Sequence, residues 1–180
     1  SIRAPGAKLV EVEHSNEVAD AINEKTAMLF FLLNRPDQAN IDIQAYIRIA
    51  KQHDIPIMCD AATTVPPIHK ITDTVNLGFD LICYSGGKGL RGPYSAGLLL
   101  GRKDLIHYAR QHGSPNHRAY GRSMKVAPEE YLGMMVAVET SLKFDEEKDY
   151  QRQLGIVNSM GRDLAGLAGV SVSTHVPDAE

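Results

Sequence analysis

An α/β fold, a mostly parallel sheet with flanking helices, is predicted by three features of this 180-residue chain. Apolar runs of strand length alternate with segments of helical periodicity, the order of βαβ units with right-handed crossovers. Two of those runs end in polar residues, Asp60 and Ser85, where open parallel sheets gather their functional groups. A glycine-rich loop, Gly86 to Pro93, follows the second and carries Lys88 between two glycines.

The elements follow in order. Lys8 to Glu13 alternates apolar and charged residues and predicts a strand. Asn16 can cap a short helix to about Glu24, with Val18, Ala21 and Ile22 on one face. Thr26 to Leu33 is continuously apolar, the pattern of a central parallel strand covered on both faces. A polar loop spans Asn34 to Asn40. A helix is predicted over Asp42 to His53, because Ile43, Tyr46, Ile47 and Ala50 share one face. Ile55 to Cys59 reads as a buried strand ending in Asp60. Pro66 and Pro67 break the chain before a short helix or turn reaches Gly78. Asp80 to Tyr84 is the strand that leads into the lysine loop.

Ser95 to Leu100 is a strand with no helix before it, so it is expected to run antiparallel to its neighbour. A helix is predicted over Lys103 to Gln111, and a cationic loop over Gly113 to Lys125. A long helical tract starts near Pro128, with Tyr131, Met134, Met135, Val138 and Leu142 at helical spacing. It is expected to bend near Gly155 and run towards Leu167. Gly169 to Ser173 predicts the first strand of another module.

The composition excludes several classes of function. Apolar residues make up 43% of the chain, charged residues 23%, and the net charge is −3. No basic excess marks a nucleic-acid partner, and the longest apolar runs fall far short of a membrane span. Cys59 and Cys83 sit singly in apolar runs and read as buried free thiols. A cytoplasmic protein is therefore expected. The abrupt ends at Ser1 and Glu180 read as cuts through a larger chain.

Lys88 reads as a solvated turn residue or as a functional amine. Three alternatives to a carbonyl-binding lysine fail. A phosphate-binding P-loop needs glycine six residues before the lysine and a hydroxyl after it; Ile82 and Gly89 stand there. No G-x-G-x-x-G opens a helix after a strand. The histidines form no HExxH and no paired Cys/His spacing, so no metal site is expected. His14, His53, His107 and His112 read as surface residues near element ends; His117, inside the cationic loop, is the candidate for a ligand contact.

Pyridoxal 5′-phosphate (PLP) remains. Its chemistry needs a lysine that binds the aldehyde and later moves a proton. It also needs a carboxylate that keeps the pyridine nitrogen protonated. Lys88 and Asp60, 28 residues apart on neighbouring strand ends, suit these two roles. Ser85 can donate to the phosphate, and Ala62 is small enough for the ring to lie flat.

These residues carry a family resemblance. Cys59-Asp60-Ala61-Ala62, Gly78-Phe79-Asp80-Leu81-Ile82 and Ser85-Gly86-Gly87-Lys88-Gly89-Leu90-Arg91-Gly92-Pro93 resemble the fold type I PLP-dependent enzymes. Within them the chain is most similar to the class V aminotransferase-like group related to L-seryl-tRNA(Sec) selenium transferase and D-glucosaminate-6-phosphate ammonia-lyase. Ala96 to Ile106 and Gly121 to Val126 also resemble that group, and the likeness covers roughly residues 5 to 145. The resemblance implies Lys88 as the Schiff-base lysine, Asp60 as the pyridine-nitrogen partner and Ser85 as a phosphate ligand. Arg91 and Arg122 become candidates for an anionic substrate group or a neighbouring subunit's cofactor phosphate; as residues they read equally as solvated surface arginines.

On this basis the chain divides into part of a PLP-binding large domain (1–126), a connecting helical region (127–167) and the start of a small domain (168–180). The expected function is a lyase eliminating ammonia from an anionic amino acid or amino-sugar acid, in a homodimer or higher homo-oligomer. Selenium transfer, amino transfer or racemisation are the alternatives of the same class, and an inactive fragment with oligomer contacts is the alternative of another. Two departures from the family are visible. The family's N-terminal segment, with its phosphate-cradling helix, has no counterpart here, so this piece alone is expected to be inactive. Ala127-Pro128 stands where relatives tend to have glycine and lysine.

Overall fold

A computed structural model of the chain describes residues 2–33 and 40–175. It divides into two compact units, Ser1–Leu142 and Lys143–Glu180. Among the described residues the first unit holds α1 (Ser15–Ala21), β1 (Leu29–Leu32), α2 (Ile43–Gln52), β2 (Ile57–Asp60) and α3 (Lys70–Leu77). β3 (Leu81–Ser85), β4 (Gly97–Gly101), α4 (Lys103–Gln111) and α5 (Pro128–Leu142) follow. The predicted α/β class and the mostly parallel sheet are both present. The sheet runs β1-β2-β3-β4, with β1, β2 and β3 parallel and β4 antiparallel to β3. β4 needs no crossover helix because the lysine loop turns it straight back.

The register separates two faces. Phe31, Cys59, Ile82 and Leu100 form one row across the sheet. This face is the core: Ile57, Cys59, Ile82 and Tyr84 are buried, together with Val18, Tyr46, Ile47 and Ala50 from the helices. Tyr46 joins the α2 face to β1 twice, by ring contact with Phe31 and by donating its hydroxyl to the Phe30 carbonyl at 3.1 Å. Leu32, Asp60, Cys83 and Leu99 form a row on the opposite face. That face is more open, with Leu32 59% and Leu99 37% exposed.

Asp80 clasps the end of the sheet opposite Asp60. Its carboxylate accepts from the Ile57 N–H at 3.0 Å and faces Arg102 at 3.4 Å. Its backbone N–H donates to the Ile57 carbonyl, and its carbonyl accepts from the Arg102 N–H at 2.8 Å. One residue thus ties β2, β3 and the exit of β4 together. Gly78 supplies the left-handed C-cap of α3 (φ 100°) that lets the chain turn into this clasp.

Several expectations are corrected. Lys8 to Glu13 forms no ladder; Val12 packs on the core and Val10 is exposed. Alternation reports which residues face a core, not whether a neighbouring strand is available. Thr26 to Leu33 shortens to β1, which lies at an end of the described sheet and is not covered on both faces. His14, not Asn16, caps α1, with Glu17 accepting from the His14 backbone N–H at 3.2 Å. The predicted Asn34–Asn40 loop lies largely outside the described residues.

In the second unit, α6 (Glu146–Ala165) begins at Asp145, whose side chain accepts from the Lys148 N–H. The predicted tract therefore breaks after Leu142, not at Gly155, because Asp145 is a strong N-cap that starts a new helix. Gly155 lies inside α6 with open space around it. Gly169 to Ser173 is irregular, not a strand.

Replacing Asp80 with alanine leaves the Ile57 N–H without its side-chain acceptor. The expected cost is about 1–3 kcal/mol, read as a lower urea midpoint at unchanged slope, with Asp80→Asn milder.

Candidate active site around Asp60 and Lys88

β2 ends at Asp60 because the next residues turn. The Asp60 Oδ1 accepts from the Ala62 N–H at 3.0 Å, an Asx-type turn, and Thr64 donates its hydroxyl to the Ala61 carbonyl. The Ala61 N–H donates to the Cys83 carbonyl at 2.9 Å, extending the β2–β3 pairing one residue past the strand. Asp60 is half-buried and stands beside Cys83, its partner on the adjacent strand. Ser85 ends β3 on the same face, by the two-residue period of the strand.

The lysine loop is closed on itself. The Gly92 N–H donates to the Gly86 carbonyl at 2.7 Å, the Gly86 N–H to the Ala96 carbonyl, and the Arg91 N–H to the Lys88 carbonyl. Leu90, 2% exposed, plugs into the core and anchors the loop from below. Met134 and Ala137 of α5 pack against Gly86 and Gly92. Gly89 lies so close to the Val65 carbonyl that any Cβ there would overlap it. Lys88 is left exposed, and among the described residues its amine has no hydrogen bond or ion pair.

Burial, then the charge of the neighbouring Asp60, push the Cys83 thiol up from its ordinary pKa. Cys59, fully buried on the opposite face, is pushed up to about 12, chiefly by burial. Both cysteines are free thiols.

Asp60, Ala62, Ser85 and Lys88 therefore belong to one end of the sheet: two strand ends and the segments that leave them. Arg91 follows in the same loop with φ 55°. Arg122 and His117 lie on the segment between α4 and α5. Arg122 points its guanidinium at the Ser114 hydroxyl, 3.5 Å away, and His117 is exposed. Neither shares a described hydrogen bond with Asp60, Ser85 or Lys88. A cleft of about 760 Å³ on that segment is lined by His107, Arg110, Ser114, Lys125 and Tyr131 among others. It contains none of the predicted site residues. Cys83 was passed over as a bland thiol. Its signal was the period-two spacing to Ser85, which puts both on the face that Asp60 shares.

The sequence profile of the aminotransferase class-V family matches residues 8–126. The chain belongs to that family. A 5′-C-glycyluridine monooxygenase-decarboxylase from Streptomyces is 30% identical over 97% of this chain and 43% of its own length. D-glucosaminate-6-phosphate ammonia lyase from Salmonella typhimurium is 30% identical over 77% of this chain and 37% of its own. L-seryl-tRNA(Sec) selenium transferase from Mannheimia succiniciproducens is 31% identical over 59% and 27%. A solved structure of D-glucosaminate-6-phosphate ammonia-lyase superposes with a TM-score of 0.75 at 25% identity, over 92% of this chain and 43% of that one. The chain thus spans less than half the length of these relatives. The ammonia-lyase and selenium-transferase likenesses match the expected group; the monooxygenase-decarboxylase was not anticipated.

Substituting Gly89 with alanine forces the loop away from Val65. An expected loss of about 1–3 kcal/mol, seen as a lower melting temperature, would be accompanied by faster proteolysis within residues 86–92.

Proposed function

We propose that the protein carrying this chain is a PLP-dependent lyase that eliminates ammonia from an anionic amino acid or amino-sugar acid. The observation that carries the reading is the pairing of a half-buried carboxylate at one strand end with an uncommitted lysine beyond the next. The ammonia-lyase likeness, found both in sequence and in fold, supports the reaction class.

The donor set suits the cofactor. Asp60 is already oriented by the Ala62 N–H, Ser85 brings a hydroxyl on the same face, and among the described residues Lys88 is not tied into a salt bridge. When bound, PLP supplies an aldehyde that condenses with amines and a ring that draws electrons from the α-carbon. Lys88 Nζ would hold the aldehyde, and the amine, when free, would take the α-proton. Asp60 would accept from the pyridinium N–H and hold that nitrogen in its charged form. Ser85 would donate to the phosphate, and Ala62 would leave room for the ring. Arg91, Arg122 and His117 are the candidates for the substrate's anionic group.

A second reading, selenium transfer, is favoured by the similarity to selenium transferases, and it predicts salt-dependent binding of charged tRNA. The proposal includes a homodimer or higher homo-oligomer in the cytoplasm, and the division into a PLP-binding part (1–126), a connecting region (127–167) and the start of a small domain (168–180). Among the described residues no helix is long and apolar enough to cross a membrane.

The test uses the full-length protein with PLP. A visible absorption band should form, and borohydride should fix the cofactor to the peptide containing Lys88. Lys88→Ala should lose both the label and turnover. Asp60→Asn should keep the label but lower kcat by a factor on the order of 10² or more. Label on another lysine, or turnover by Lys88→Ala, would sink the proposal.

A further inference from the structure

We propose that Cys83 is a positioning residue of the cofactor site, its thiol donating to Asp60 and holding the carboxylate in place on the open face of the sheet. The inference rests on the reading of Asp60 and Lys88 above. It goes beyond it by assigning a role to a residue that resembles an ordinary buried thiol.

The argument begins with the register. Asp60 and Cys83 are partners in the parallel β2–β3 ladder, so their side chains stand side by side on one face. The rest of that row is apolar: Leu32 flanks Asp60 and Leu99 flanks Cys83. Neither leucine can donate a hydrogen bond. Asp60 has the Ala62 N–H on Oδ1, and the one side chain beside it in the row that can donate is the Cys83 thiol. With the backbone donor alone, the carboxylate could still swing across the open face. A second donor from the adjacent strand restricts that rotation, and a bond to a charged acceptor is stronger than the thiol's usual weak one.

The thiol is suited to this. Burial and the neighbouring carboxylate raise its pKa, so it remains protonated near neutrality and acts as a donor, not as a second anion. Cys59 cannot substitute, because its side chain lies on the opposite, core face. Other titratable groups do not enter the row, whose four members are Leu32, Asp60, Cys83 and Leu99.

Two measurements on the full-length protein test the role. The first needs no cofactor: iodoacetamide labelling of Cys83 is followed by peptide mass in wild type and Asp60→Asn, with Cys59 as the unreactive internal control. Removing the carboxylate's charge should lower the thiol pKa and speed labelling at pH 8 by about threefold or more. An unchanged rate means that the thiol does not feel Asp60 and overturns the proposal. The second follows the visible band of the Lys88-linked cofactor against pH. Cys83→Ala should move its midpoint by about half a pH unit or more, and Cys83→Ser, which keeps a donor, should restore it. A wild-type midpoint in Cys83→Ala overturns the positioning role. Absence of the band in wild type instead overturns the Lys88 reading and the role with it, while the labelling arm still reports the contact.

Discussion

The register of β2 against β3 is the constraint on which the candidate site depends. A slip of one residue would carry Asp60 to the core face and Cys59 to the open one. It would bury a carboxylate among Phe31, Ile82 and Tyr84. Two sets of bonds oppose the slip. At one end Asp80 takes the Ile57 N–H on its side chain and exchanges backbone bonds with Ile57 and Arg102. At the other, the Ala61 N–H reaches the Cys83 carbonyl. Between them the apolar row of Phe31, Cys59, Ile82 and Leu100 gives the core face its burial. The placement of Asp60 is thus set by contacts made elsewhere in the sheet.

The lysine loop depends on the same scaffold. β4 returns antiparallel to β3, so the loop between them is short and must close tightly. Gly86, Gly89 and Gly92 allow backbone and α5 side chains to approach where a Cβ could not fit. Leu90 is the counterweight: its burial fixes the loop's lower side and leaves Lys88, two residues earlier, in the open. An amine held this way keeps its own rotational freedom while its backbone is fixed. That combination suits a group that must bond to one partner and then take a proton from another.

Much of this was legible in the residues, and what was not has physical causes. The helical period of Ile43 to Ala50 reports a buried face and places α2 within a residue or two, and α4 forms over the predicted Lys103–Gln111. The antiparallel return of β4 follows from the lack of a crossover helix. Lys8 to Glu13 fails as a strand because the pattern encodes a half-buried face and not a ladder partner. The break at Asp145 had a local signal, because Asp-Glu-Glu is an N-terminal pattern and the apolar spacing lapses after Leu142. The neighbourhood of Cys83 and Asp60 was not legible, because local spacing gives the face of a strand but register fixes its cross-strand partners.

The site's geometry also explains why likeness alone leaves the reaction open. The relatives' names span a lyase, a transferase and a monooxygenase-decarboxylase, yet the profile that unites the family lies over residues 8–126. Those residues include the strand ends and the lysine loop, which in the proposed reading supply what such reactions share: a carboxylate, a hydroxyl and an amine. Discrimination must come from groups around that shared set. Arg91 stands in the lysine loop, whereas Arg122 and His117 ride on the α4–α5 segment, whose fold is held by local bonds such as Asn116 to the Arg110 carbonyl. A segment braced by its own contacts can change its cations without disturbing Asp60 or Lys88. Differences in substrate among such relatives are therefore expected to map to that segment and to chain beyond the shared core, while the sheet end stays the same.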